Sequence, residues 1–122
     1  MNYNLRTVDS WQLKSFNALT TPTGIGTVVE VSPTQATFGG FELNNNDAGI
    51  RFLQVFFKPA SSVTLGVTVP DMTFVFAASV PMSRDFHHPI RNGTGLSMAC
   101  TTTETGTTPA TIGMSGCIRY KD

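Results

Sequence analysis

The segment Ile50-Arg51-Phe52-Leu53-Gln54-Val55-Phe56-Phe57-Lys58 decides how this chain reads. A strand with one solvated face alternates apolar and polar residues, because successive side chains point to opposite faces. Here Phe52 and Phe56 share one face while Leu53, Val55 and Phe57 share the other. The segment is therefore expected to be a central strand covered on both sides, either by a second sheet and a loop or by another subunit.

Strand signals extend in both directions from it. Upstream, Thr34 to Leu43 reads as a strand whose Gly39-Gly40 pair marks a bulge or bend, and Asn44 to Gly49 is a loop. Before that, Ile25, Thr27, Val29 and Val31 alternate with Gly26, Val28, Glu30 and Ser32 until Pro33 stops the run. Downstream, Pro59 to Ser62 turns the chain and Val63 to Val69 leads to Pro70. Met72, Phe74, Phe76 and Ala78 form one face of a strand, opposed by Asp71, Thr73, Val75 and Ala77. Pro81 is expected to break it, Ser83 to His88 to be a further short strand, and Pro89 to Gly95 a long turn. Leu96 to Thr103 and Ala110 to Tyr120 are expected to close the domain as a hairpin around a Thr/Gly/Pro loop. Val8, Trp11, Leu13, Phe16 and Leu19 fit neither a 3.6 nor a 2.0 period. Residues 1–22 are therefore an N-terminal arm or edge segment, and residues 23–122 the main domain. About eight strands at 8–12-residue spacing, without an amphipathic helix, indicate a single-domain, all-β, antiparallel β-sandwich of jelly-roll type.

Composition agrees. The chain has 122 residues, enough for one domain, and only 13% are charged, against about 25% in an ordinary soluble domain. Eight basic and eight acidic residues give a net charge of zero, so the electrostatic attraction behind most nucleic-acid affinity is missing. No apolar run reaches the roughly 20 residues of a membrane helix. Met1 to Arg6 has no basic segment leading into an apolar core, so no secretory signal is expected.

Few residues suggest chemistry. In the expected hairpin, Cys100 lies opposite Gly113 and Cys117 opposite Leu96. That register holds the sulfurs too far apart for a disulfide, which needs Cα atoms within about 7 Å, so two free, buried thiols are expected. Asp85 and His87 share a strand face, yet a metal would need further ligands, such as Glu42 or Asp47, that the spacing does not demand. Ser115, in Gly113-Met114-Ser115-Gly116-Cys117, misses the nucleophile elbow. The second glycine is absent, and the segment reads as mid-strand rather than a strand-to-helix turn. Asn92-Gly93 is a tight-turn signal. The acidic residues are not paired as in glycosidases. No catalytic residue, metal ligand or cofactor-binding residue is nominated.

Large apolar residues, by contrast, are in excess. Trp11, Phe16, Phe38, Phe41, Val28 and Phe86, added to the Phe, Val, Ile and Met of the other strands, exceed what a 122-residue core is expected to hold. The excess implies burial between subunits, with Trp11, Phe16, Phe38, Phe41 and His87 as the expected contacts.

The order of segments from Arg51 to Thr103 resembles that of small virion proteins of tailed bacteriophages. It runs Arg51 to Lys58, the Ala60-Ser61-Ser62 turn, Val63-Thr64-Leu65-Gly66-Val67-Thr68-Val69-Pro70, a Phe-rich strand, then Ile90-Arg91-Asn92-Gly93-Thr94-Gly95-Leu96-Ser97-Met98-Ala99-Cys100-Thr101-Thr102-Thr103. The resemblance covers a little under half the chain, Gly66 to Pro70 and Gly93 to Thr103 being its most specific parts. It implies a virion location and a non-enzymatic structural role, as a capsid decoration (cement) subunit or a tail or neck accessory. It implies partners in copies of itself, as a trimer for instance, and in a capsid or tail protein, with no membrane and no nucleic acid. A carbohydrate- or receptor-binding tip is the alternative for a sandwich of this kind.

Overall fold

The computed structural model describes residues 11–20 and 28–122. Eight strands follow in chain order: β1 (Gln12–Leu19), β2 (Val29–Ser32), β3 (Ala36–Asn45), β4 (Arg51–Phe56), β5 (Met72–Phe76), β6 (Pro81–Asn92), β7 (Leu96–Thr101) and β8 (Met114–Lys121). They form two antiparallel four-stranded sheets, the first ordered β1-β8-β3-β6 and the second β2-β7-β4-β5. The pairings β1 with β8, β2 with β7, β3 with β6 and β4 with β5 are those of one long hairpin rolled onto itself. That is the jelly-roll arrangement. Every connection crosses between the sheets except β4 to β5, the hairpin's tip.

The expected final hairpin is overturned by this topology. β7 and β8 lie in different sheets, so Cys100 faces Leu53 and Cys117 lies between Ser15 and Glu42. Both thiols are free, as expected, but only Cys100 is buried and Cys117 is half-buried; sheet membership separates them rather than a four-residue stagger. The region after β5 also differs from the sequence reading. The β5 strand does end before Pro81, which is the first residue of β6, but Pro89 does not open a long turn, because it lies inside β6, a twelve-residue strand. β6 is an edge strand, where a residue without an N–H loses no ladder bond. The turn is confined to Asn92-Gly93 and its neighbours, with Gly93 at φ 68°. Of residues 1–22, Gln12–Leu19 form an edge strand of the first sheet. Residues 1–10 and 21–27, with the expected strand positions Ile25 and Thr27, lie outside the described residues.

The anticipated bulge is present. Phe38 pairs with Ile90 but Gly40 pairs with Asp85, so Phe86 to Pro89 swing out opposite the single residue Gly39. Gly40 has φ 142°, and a Cβ there would lie 2.1 Å from the Arg84 carbonyl oxygen. Only glycine fits.

The main core lies between the sheets. Phe38, Phe41, Leu43, Met114 and Ile118 of the first sheet meet Leu53, Val55, Phe74, Phe76, Leu96, Met98 and Cys100 of the second. A second, smaller core lies on the opposite side of the second sheet. There Phe56 and Ala99 are roofed by Val63 and Leu65 of the β4–β5 connection, with Val28 beside them. β4 is thus covered on both faces, by a sheet on one side and a loop on the other. Gln54 is fully buried and its Nε2 donates to Thr101 Oγ1 (2.8 Å) and the Gly106 carbonyl (3.1 Å).

Two cores change the apolar reckoning. All nine phenylalanines are buried or half-buried within one chain. Phe38 and Phe41 have no exposed area, which corrects their expected role as contacts between subunits. Sequence counting allowed for a single core, whereas the β4–β5 loop creates a second.

Candidate interaction surface

Three loops converge at one end of the sandwich on a single buried carboxylate. Asp47 sits in the β3–β4 loop at 1% exposure. Its Oδ2 accepts the Arg51 Nε–H (2.7 Å) and the Thr111 N–H (3.0 Å), and its Oδ1 accepts the Ile112 N–H (2.5 Å). The Asp47 carbonyl accepts the Ser79 N–H (3.0 Å), which fastens the β5–β6 turn. Asn45 reinforces the hub: its Oδ1 accepts the Asp47 N–H, and its Nδ2 donates to the carbonyls of Gly49 and Ala77. Burial alone would raise the Asp47 pKa. The Ile112 N–H, the Arg51 side chain and the Thr111 N–H outweigh burial and hold the carboxyl below its ordinary value of 3.8. Asp47 is thus a fixed anion at the centre of the loop end.

The hub holds out an apolar tip. Ile50, Val80 and Ile112, one from each loop, are exposed by 54%, 38% and 55%. Across residues 46–50, 77–80 and 110–113 the only charged side chain is Asp47 itself, and Arg51 neutralises it. Large aliphatic side chains held outward on a hydrogen-bonded frame have lost little freedom still to be lost on docking. Sequence reading missed this site because Asp47 looked like an ordinary loop residue in an Asn-rich turn. The one available signal was the scarcity of charge, Asp47 and Glu104 alone, on three loops that the topology brings together.

A second feature lies on the outer face of the first sheet. Glu42, Leu43, Asn44, Pro81, Met82, Ser83 and Ser115 line a shallow, mostly apolar groove of about 400 Å³. Asn46 Nδ2 donates to Ser115 Oγ (3.1 Å), and Asn44 Nδ2 donates to Asn46 Oδ1 (2.6 Å). Ser115 is the second residue of β8, on a strand as expected but at its start rather than in its middle, with another serine and two amides around it. Glu42 and Asp47, considered above as metal ligands, are on different features, and no trio of His, Cys, Asp and Glu able to hold a metal occurs among the described residues.

The remaining expected contacts are dispersed. Trp11 is half-buried on the outer face of the first sheet. A Cβ on Gly39 would lie 2.6 Å from its ring, and Lys121 Nζ stands 5.0 Å from its centroid on a cation–π contact. Phe16 packs against the main core. His87 is exposed in the β6 bulge with its ring 4.6 Å from that of His88, while Asp85 binds Arg119 Nη2 at 2.9 Å. The structure does not bring Trp11, Phe16 and His87 into one patch with the loop-end tip. Comparison with protein-family models, curated proteins and solved structures returned no match.

Proposed function

We propose that this chain is a non-enzymatic structural subunit of a bacteriophage particle, a capsid decoration (cement) protein that joins the assembled shell through its loop-end tip. The observation that carries this reading is the uncharged apolar tip of Ile50, Val80 and Ile112 on the Asp47 frame. A rigid apolar end suits the seams of a fixed protein lattice, which present the same surface at every site. The jelly-roll fold and the segment order from Arg51 to Thr103 support the same conclusion. The count of phenylalanines does not, because all nine are buried or half-buried within the chain.

Stabilisation would follow from mass action. A subunit that binds the assembled lattice and not its free parts lowers the lattice free energy by RT ln(1 + [L]/Kd) at each site. With zero net charge, copies already seated repel newcomers little. Co-sedimentation of the purified chain with capsids of its parent phage tests the reading. Binding is expected for the wild type and not for Ile50→Asp/Ile112→Asp. Capsids stripped of the protein that resist heat and low salt as well as decorated ones would overturn the cement role.

The groove on the first sheet favours a second reading, a carbohydrate- or receptor-binding tip of a tail. Glu42, Asn44, Ser83 and Ser115 offer hydroxyl, amide and carboxylate partners of the kind sugars use. No aromatic ring lines its floor, and the Trp11 ring is covered by Gly39 and Lys121. A positive glycan array that Glu42→Ala abolishes would promote this reading over the first.

A further inference from the structure

A jelly roll leaves four strand edges, and this chain treats one of them differently. Exposed edges invite pairing with other strands, and proteins block them with bulges, prolines, inward-pointing charges or brevity. In the first sheet, β1 has a register shift between Phe16 and Leu19 and places Lys14 beside the core residue Ile118. β6 carries Pro81, Pro89, Arg84, Asp85 and Arg91 and the Phe86-to-Pro89 bulge. In the second sheet, β2 has only four residues, including Glu30, and its register shifts between Glu30 and Ser32.

β5, at five residues one longer than β2, has no device besides its modest length. Met72-Thr73-Phe74-Val75-Phe76 contains no charge and no proline, and its pairing with β4 runs unbroken from Arg51↔Phe76 to Val55↔Met72. Among the described residues no strand pairs with its other side. Val75 is 54% exposed on the outer face, next to half-buried Phe52 in the register. Phe74 and Phe76 face the core from the inner side.

We propose that β5 pairs antiparallel with β5 of a second copy across a two-fold axis at Phe74, joining two second sheets into one eight-stranded sheet. The occupant is a copy of this chain because the strand is complementary to itself. Turned about Phe74, Thr73 falls opposite Val75 of the other copy and Met72 opposite Phe76. No like charges meet, and two molecules of zero net charge approach without long-range repulsion. The contact is isologous, so it closes at two copies rather than growing into a filament. It goes beyond the proposed lattice binding and specifies a dimer, not the trimer that the resemblance implies.

A charge-register experiment on the full chain tests it, using light scattering across a range of concentrations. The wild type is expected to pass from one copy to two as concentration rises. In Thr73→Lys/Val75→Lys, two lysine pairs would meet across the axis and weaken the dimer by about tenfold or more. In Thr73→Lys/Val75→Glu each lysine meets a glutamate, and dimerisation is expected to return. Both positions are exposed, and melting curves check that the variants fold. Hydrogen exchange on the wild type needs no variant: protection within residues 72–76 is expected to rise with concentration. A wild type that stays monomeric, a lysine–glutamate variant no better than the double lysine, or protection that rises elsewhere instead would each overturn the inference. A monomer that still binds capsids would leave the proposed function standing. A dimer with the expected charge pattern that ignores capsids would remove the function and keep the dimer.

Discussion

The two sheets have equal numbers of strands and treat their outer faces in opposite ways. The second sheet hides the outer face of its two central strands: Phe56 and Ala99 lie beneath Val63 and Leu65, and Gln54 and Thr101 lie beneath the loop that carries Gly106. The first sheet leaves its outer face to solvent, and across its middle run Ser15, Cys117, Glu42 and Ser83 in one register row. The difference follows from connection length. The β4–β5 link, residues 57–71, is the one connection between strands of the same sheet, and it is long enough to fold back as a roof. Loop residues thus did the covering that composition suggested another subunit would do.

If the roof is a true second core, breaching it costs as much as breaching the first. Phe56→Ala is expected to destabilise the fold by about 3–5 kcal/mol, measured by urea unfolding. Leu65→Ala, which removes loop atoms only, should cost about 2–4 kcal/mol. A loss below about 1 kcal/mol for Leu65→Ala would mean that the loop merely rests on the sheet, and the contrast between the faces would fail.

The Asp47 hub is next in size. Asp47→Ala removes a carboxylate that holds Arg51 and two backbone N–H groups and leaves those donors without their partner. The expected cost is about 3 kcal/mol. Because the folded pKa is lowered, the carboxylate's contribution is fully present above the unfolded value of 3.8 and is lost as pH falls through the lower folded value. Wild-type stability should therefore fall in that acid window. Asp47→Asn should remove this part of the decline, and melting curves down the acid range compare the two.

How much of this was legible in the sequence depended on whether the cause was local. Strand β4, its double-sided burial, the Gly39-Gly40 bulge, the alternation of β5 and the turn at Asn92-Gly93 all follow from neighbouring residues, and each was readable. The pairing of β7 with β4 and of β8 with β3 and β1 was not. Two strands joined by a loop rich in threonine and glycine look the same whether they form a hairpin or cross a sandwich. Pro89 of β6 misled for a related reason, since edge position decides whether a proline breaks a strand, and edge position is a property of the whole fold. The tip was invisible because Ile50, Val80 and Ile112 are far apart in the chain, and long-range hydrogen bonds of Asn45, Asn46 and Asp47 gather their loops.

The cysteines compare the inside of the sandwich with its bare face. Burial first, and the charge of Asp47 second, push the Cys100 thiol up to about 12, and Cys100 has no exposed area. Cys117 is half-buried on the outer face of the first sheet. The thiolate is the reacting form, so a maleimide at pH 8 should label Cys117 in the native protein and leave Cys100 untouched until unfolding. Peptide mass spectrometry separates the two sites. Equal labelling would mean that the sheets open readily and that the main core is looser than its packing indicates.

The smallest effects belong to the open face itself. Ser83→Ala and Glu42→Gln change groups on the row that water already reaches, and neither lies in a core or in the Asp47 hub. Each should move stability by no more than about 0.5 kcal/mol, against several for Phe56→Ala. A larger loss at Ser83 would show that something covers this face in solution as the β4–β5 loop covers the other. The two sheets would then differ only in whether the cover comes from the same chain. Stability compared at low and high protein concentration decides between those cases, because a cover supplied by a second copy strengthens with concentration while one supplied by the chain itself does not.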